Sequence, residues 1–497
     1  MNKTYMDYMD EITEDDLYKG LLAHGLFCEK LPPVFSTESF YEYCDNLSIP
    51  FEDKPRQFIS YESMRNINVP RQMGIPNPMA YQRLCSCLAD NWYYLKKHFK
   101  EKTIGENNKI SRIHIRKLKG KARIFEMNYK SWKLDGSSEP DVLVGKRFLV
   151  KADIATCFPS IYTHSLTWAL VGKGMAKRDR KGNQWFNKID HFAQQIKNGE
   201  THGLLIGPHA SNILSEIILT CIDFELTKQG WEYIRNIDDY SCYVKDCDEG
   251  QKFIVELNKQ LRNYDLLLNH KKTEILNLPT AIVEQWVRQI NSVCAIPQSR
   301  KMNYKDVQAY MDVAIELMQS NKNNAAILKY AIKVLSGKTL TDNAKKYCAK
   351  IILHLAFIYP YLVPLLEKKV FNVFNVKESE IAIFSEILFK ESLRQQNFEA
   401  VFYAIYYAIK WDFKIDDLTA QNAINTKDCF VMLFAFKYFE KIGDKNAVKN
   451  LRNYAEELKK TDDFDRYWMF IYEILPKSKL VGDWKPMKDK GVTFMLI

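Results

Sequence analysis

Three acidic residues carried by strand-like stretches limit what this chain can fold into. Residues 147–154 (RFLVKADI) are rich in apolar and β-branched side chains, as a strand requires, and Asp153 stands near their end. Far downstream, residues 231–237 and 240–244 are again strand-like and are separated only by Asp238-Asp239. That is the spacing of a two-residue hairpin connection, although the usual Gly is missing. Taken singly, Asp153 could be a helix-entry residue and Asp238-Asp239 a solvated turn. Brought together they supply the carboxylate cluster that phosphoryl transfer through two divalent ions needs.

The intervening segments fit that convergence. Pro159, in CFPSIYTHSLTWAL, suits the first turn of a helix because proline has no donor to lose there. In GLLIGPHASNILSEIILTCIDFEL, Gly203 and Gly207 permit a tight turn. Pro208 then opens a helix with apolar positions at Ile213, Leu214, Ile217, Ile218 and Cys221. Before the first acid lies a basic stretch, Lys109 to Lys151, with 12 Lys/Arg against 4 Asp/Glu, which is +8 of the chain's net +10. Within it Arg116 and Arg123 flank a hairpin expected around Gly120.

The order D-I-x-x-C-F-P-S-I, G-L-x-I-G-P-x-x-S, x-I-D-D and L-N-x-K-K-T-E-I resembles successive palm motifs of a reverse transcriptase, over about residues 110 to 280. Upstream, GLFCEKLPPVFSTESF and VPRQMGIPNPMAYQRLCSCLADNW resemble the lead-in of the abortive-infection (Abi) reverse transcriptases of bacterial phage defence, the AbiK-like group and its prophage-borne members. The resemblance implies a metal site for two Mg²⁺ ions made by Asp153, Asp238 and the Ile154 carbonyl, with Asp239 as an accessory acid. It further implies that Arg116 and Arg123 clamp the triphosphate of a dNTP, and that Phe158 and Gly207 line the dNTP site. Phe158 would exclude a ribose 2′-OH; ordinary core packing is the alternative. Lys272 would protonate departing pyrophosphate, with Lys271 beside it as a competitor. Two positions depart from the usual pattern. Asn236 stands where most templated enzymes have an aromatic, and Ile206 where many have Gln. Both changes remove contacts that align a base pair with a template.

The activity implied is protein-primed, template-independent DNA synthesis, leaving single-stranded DNA covalently attached to the protein. The competing expectations are a conventional RNA-templated reverse transcriptase and a catalytically idle scaffold. Priming needs a hydroxyl that reaches the metals. The repeat YMD-YMD places Tyr5 and Tyr8 before the first expected helix, which starts at a capping box, Thr13 to Asp16. Tyr8 on a swinging tail is the first choice, Tyr5 the second, Tyr18 an outsider.

With 46% apolar residues the chain can bury several cores. Eleven scattered cysteines without a C-x-x-C pair read as reduced, mostly buried thiols. The longest apolar run, residues 351–366, is interrupted by His354, Pro360 and Pro364, and reads as two buried helices meeting near Pro360, not a membrane span. No secretory signal is read at the amino terminus, and a bacterial cytoplasmic location is expected. Beyond residue 300, helices are expected near 304–320, 324–336, 343–358, 377–395, 398–411, 427–441, 445–459 and 464–474. The fold expected is α+β: an amino-terminal helical and fingers segment (1–108), a reverse-transcriptase-like fingers and antiparallel palm (109–290), and an all-α, HEAT-like domain (291–497). The resemblance suggests a homo-oligomer, with a trimer as one candidate.

Overall fold

The computed structural model describes residues 5–497 apart from residues 48, 66–68, 105–116, 118–138, 180, 181, 282 and 295–299. Among the described residues helices dominate, with two small antiparallel sheets. The first pairs β1 (Phe58–Ser63) with β2 (Arg71–Pro76). The second contains β3 (Phe148–Asp153), β4 (Tyr233–Asn236), β5 (Asp239–Val244) and β6 (Glu274–Asn277), in the order β4-β5-β3-β6.

Alternation along β3 and β5 sorts side chains between the two faces of this sheet. Val150, Ala152, Tyr240, Cys242 and Val244 join the main core, where the helices His209–Lys228 and Cys247–Arg262 also bury their apolar sides. Leu149 and Tyr243 enter a separate small cluster with Val142 and Ile234. Asp153 and Asp239 share that second face. The helix His209–Lys228 follows Pro208 as the pattern predicts, and Ile213, Leu214, Ile217, Ile218 and Cys221 are all buried.

Three local expectations need correction. Pro159 lies in a one-turn helix, Cys157–Ser160, and a second helix starts only at His164. The break arises because the 201–204 segment pairs with the backbone there: Leu204 N–H donates to Phe158 O (2.8 Å), and Gly203 N–H to Ile161 O (2.8 Å). Tyr8 does not precede the first helix; it belongs to one, Tyr5–Asp10, which the buried Met9 and Ile12 tie down. The hairpin register is also shifted by one residue, as described below. The capping box at Thr13 forms as expected, with Asp16 N–H donating to the Thr13 hydroxyl (3.1 Å) and Thr13 N–H to the Asp16 carboxylate (3.2 Å).

Beyond residue 300 the eight expected helices are present: Tyr304–Ser320, Ala325–Leu335, Asp342–Ile358, Glu378–Arg394, Phe398–Trp411, Cys429–Ile442, Lys445–Leu458 and Trp468–Ile474. Side chains of Asn303, Asn324, Asn397, Asp428 and Asp444 cap five of them. The 351–366 run breaks after Ile358 and resumes at Pro360, with Leu362, Val363 and Leu366 buried. Among the described residues no helix is long and apolar enough to cross a membrane. All eleven cysteines are free, and all but Cys28 and Cys247 are buried.

The amino-terminal segment and the late helices are packed together. Phe35 stacks edge-on against Phe430 and Phe434, and Val34 and Ser36 pair through their backbones with Leu496 and Phe494. The buried Glu399 carboxylate accepts from Met64 N–H (2.7 Å). Asp428 is buried too. It accepts from Phe430 and Val431 N–H (2.9 Å each), yet burial pushes its pKa up to about 6. An acid raised on folding contributes stability fully below its unfolded pKa and loses that contribution as pH climbs through about 6. Asp428→Asn keeps the cap and removes the charge. It is expected to melt higher than wild type at pH 7.5, by up to about 3 kcal/mol, with the difference vanishing near pH 4. Calorimetry at both pH values checks this.

Candidate active site

β3 and β5 run antiparallel with Asp153 directly opposite Asp239. On the other side of the hairpin Asn236 pairs with Asp239, so the two connecting residues are Ile237-Asp238, not Asp238-Asp239. Asp239 is therefore the first residue of a strand, and Asp238 sits in the turn. Ile237 N-terminal to it has φ +57°, a left-handed conformation that a β-branched residue adopts at a cost of about 1–3 kcal/mol. The turn is fastened to the end of β3, where Ile154 N–H donates to Asp238 O (3.1 Å).

The three carboxylates thus come together across a strand pair and its turn. Asp153 is buried, Asp238 is half-buried, and Asp239 is exposed at the rim. Partial desolvation raises the Asp239 pKa to about 6, helped by the charges of Asp238 and Asp153. Desolvation and Asp153 also raise Asp238, against the opposing pull of Lys272 and Arg71. Like charges placed opposite one another destabilise a strand pair, so this sheet carries a local cost.

One compensating charge comes from the 269–272 turn. The Lys272 ammonium binds the Asp153 carboxylate, and that bond, outweighing desolvation, raises the lysine pKa. Asn269 N–H donates to Asp153 O (2.7 Å), and its side-chain amide approaches the carboxylate at 3.4 Å. Among the described residues no group of three or more His, Cys, Asp or Glu side chains is arranged to hold a metal ion as the protein stands. The cation bonded to Asp153 is the lysine. The donor set itself fits a hard divalent ion: carboxylate oxygens on adjoining backbone, outnumbering the one lysine bonded among them.

Phe158 is partly buried against the main core beside this sheet. Gly207 has φ +133°, and a Cβ there would stand 3.1 Å from Gly74 O, so the loop lies flat on β2. Ile206 O accepts from Gly74 N–H (2.9 Å) in the same contact. Arg116 and Arg123 lie outside the described residues. Tyr8 is half-buried on its helix. Tyr18 accepts a hydrogen bond from Gln82 (3.0 Å), and burial raises its pKa, which disfavours it as a nucleophile.

Residues that the sequence reading passed over also shape the site. They are Asn269, Arg71 and a buried ionic group beneath the hairpin formed by Arg235, Glu216 and Asp223. The signal was available, since Glu216 and Asp223 are seven apart in a helix rich in apolar residues and so share a face.

No family model matches the chain, and neither does any curated protein. Telomerases are among the solved structures that match. Apo telomerase from Candida tropicalis is 10% identical, with 82% of this chain and 72% of that chain covered and a TM-score of 0.34. A form of it truncated from the C-terminal domain is 12% identical, covering 49% of this chain at a TM-score of 0.29, and this chain spans 54% of its length. Telomerase from Candida albicans, in complex with a fragment of telomeric RNA, is 10% identical, with 70% and 65% covered and a TM-score of 0.29. At such TM-scores the likeness is loose and says nothing of chemistry.

Proposed function

We propose that this chain is a nucleotidyltransferase of the reverse-transcriptase kind that builds DNA on itself without a template, as part of bacterial phage defence. The observation that supports the chemistry is the cross-strand pairing of Asp153 with Asp239, with Asp238 in the adjoining turn and Lys272 bonded to Asp153. Asp153 and Asp238, with the Ile154 carbonyl, would hold the ions and Asp239 would assist. Bound there, two Mg²⁺ ions supply Lewis-acid activation of a hydroxyl and neutralisation of a leaving pyrophosphate. The chain's own groups do the rest. Lys272, kept protonated by its acidic neighbours, donates a proton to the leaving group. Phe158 and Gly207 shape the nucleotide site, Arg116 and Arg123 hold the triphosphate, and Tyr8 offers the first hydroxyl. The antiphage role, the HEAT-like character of the late helices, the three-part division of the chain and a homo-oligomeric state are proposed from the sequence resemblance.

The test uses purified protein, labelled dNTPs and Mg²⁺ without template, followed by a denaturing gel. Label retained on the protein is expected, and Tyr8→Phe is expected to abolish it. Normal labelling of the Tyr8→Phe protein would exclude Tyr8 as primer. Product seen only with added RNA and primer would favour templated synthesis, and no product under either condition an idle scaffold.

A further inference from the structure

The chemistry proposed above makes no use of the ionised group directly beneath the hairpin. Arg235, on β4, is completely buried, as are Glu216 and Asp223 on the helix His209–Lys228. Its guanidinium is fully engaged. Nε and Nη2 donate to the Asp223 carboxylate (2.9 and 2.6 Å), and Nη2 and Nη1 to Glu216 (2.9 and 3.2 Å). Tyr233 O–H donates to Asp223 as well (2.8 Å). Burial alone would lower the Arg235 pKa, but the two carboxylates outweigh it and hold the guanidinium charged.

A buried ionic trio is a poor way to stabilise a fold, because well-packed apolar side chains of similar volume serve as well or better. Arg235 also reaches out of the trio toward the hairpin turn. Arg235 Nη1 donates to the carbonyl of Ile237 (2.9 Å), the turn residue held at φ +57°. That peptide immediately precedes Asp238, and Asp239 follows. A planar guanidinium gripped by two carboxylates has little freedom, so the carbonyl it holds is fixed as well.

We propose that Arg235, clamped by Glu216 and Asp223, is a positioning residue that locks the Ile237 peptide in its left-handed conformation and so presents Asp238 and Asp239 to a divalent cation. This rests on the metal-site reading above. Arg235→Lys would keep the charge but lose the fork. Ile237→Gly would allow positive φ without steric cost and relieve the need for the lock.

The experiment measures Mn²⁺ binding by the loss of the free-ion paramagnetic resonance signal, alongside melting temperature and the Mg²⁺ concentration for half-maximal incorporation. Arg235→Lys is expected to weaken Mn²⁺ binding at least tenfold and to lower the melting temperature. Adding Ile237→Gly to that variant is expected to restore most of the Mn²⁺ affinity while the melting temperature stays depressed, a split that a merely structural arginine would not produce. Wild-type affinity in Arg235→Lys, or no rescue by glycine, overturns the proposal. If Arg235→Lys does not fold, Glu216→Gln is read in its place: tenfold weaker Mn²⁺ binding with unchanged circular dichroism supports the clamp, and unchanged binding overturns it. Wild-type protein that binds no Mn²⁺, or binds it equally well after Asp153→Asn, overturns the metal-site reading and the clamp together.

Discussion

Asp153→Asn is expected to reduce nucleotide incorporation by about 10³-fold or more while leaving the protein as stable as before, or slightly more so. A group acting directly on developing charge commonly contributes on that scale. Asparagine is isosteric with aspartate, and the backbone contacts at this position survive the change: the pairing with Asp239, and Asn269 N–H on the 153 carbonyl. What disappears is one of three mutually repelling carboxylates and the partner of Lys272, itself largely exposed. An exposed lysine loses little when it returns to water. Removing the 153 charge also relieves Asp239, whose pKa should fall from about 6 toward the ordinary carboxylate value. Incorporation assays and calorimetry on the same preparation check both halves. A large loss of activity accompanied by a large loss of stability would mean that Asp153 is a structural residue.

Trp92→Ala has the largest expected effect on stability. Trp92 is completely buried, and its indole N–H donates to Ile12 O (2.9 Å), tying the first helices to Trp92–Lys102. Truncating a buried Trp costs about 3–5 kcal/mol, and the stranded Ile12 carbonyl adds about 1 kcal/mol. Hydrogen exchange over residues 5–22 should accelerate about a hundredfold or more, because opening of this segment becomes that much easier. Trp92→Phe keeps most of the apolar area and should fall between the two. The same packing holds Tyr8 on an anchored helix and not on a loose tail, so a priming tyrosine there would have to work from a seated position or lift its helix off.

Period and local chemistry were enough to locate the eight helices past residue 300, the strand that ends at Asp153 and the hairpin that carries Asp238 and Asp239, the capping box at Thr13 and the buried face of His209–Lys228. Each depends on interactions within a few residues, and each was therefore readable from a short window. The hairpin register was not. A turn of Asp238-Asp239 is the natural reading, since a left-handed isoleucine costs energy that no local rule repays. The repayment comes from a distance: Ile154 N–H on the Asp238 carbonyl, Arg235 on the Ile237 carbonyl, and two acids of another helix holding that arginine in place. Likewise the break after Ser160 follows from a loop some forty residues away, and the seating of Phe35 against Phe430 joins opposite ends of the chain. Which acids meet at the hairpin could be read from the chain alone. How they are aimed depends on partners remote in sequence, because only a completed fold can offset strain and buried charge with contacts that no short segment contains.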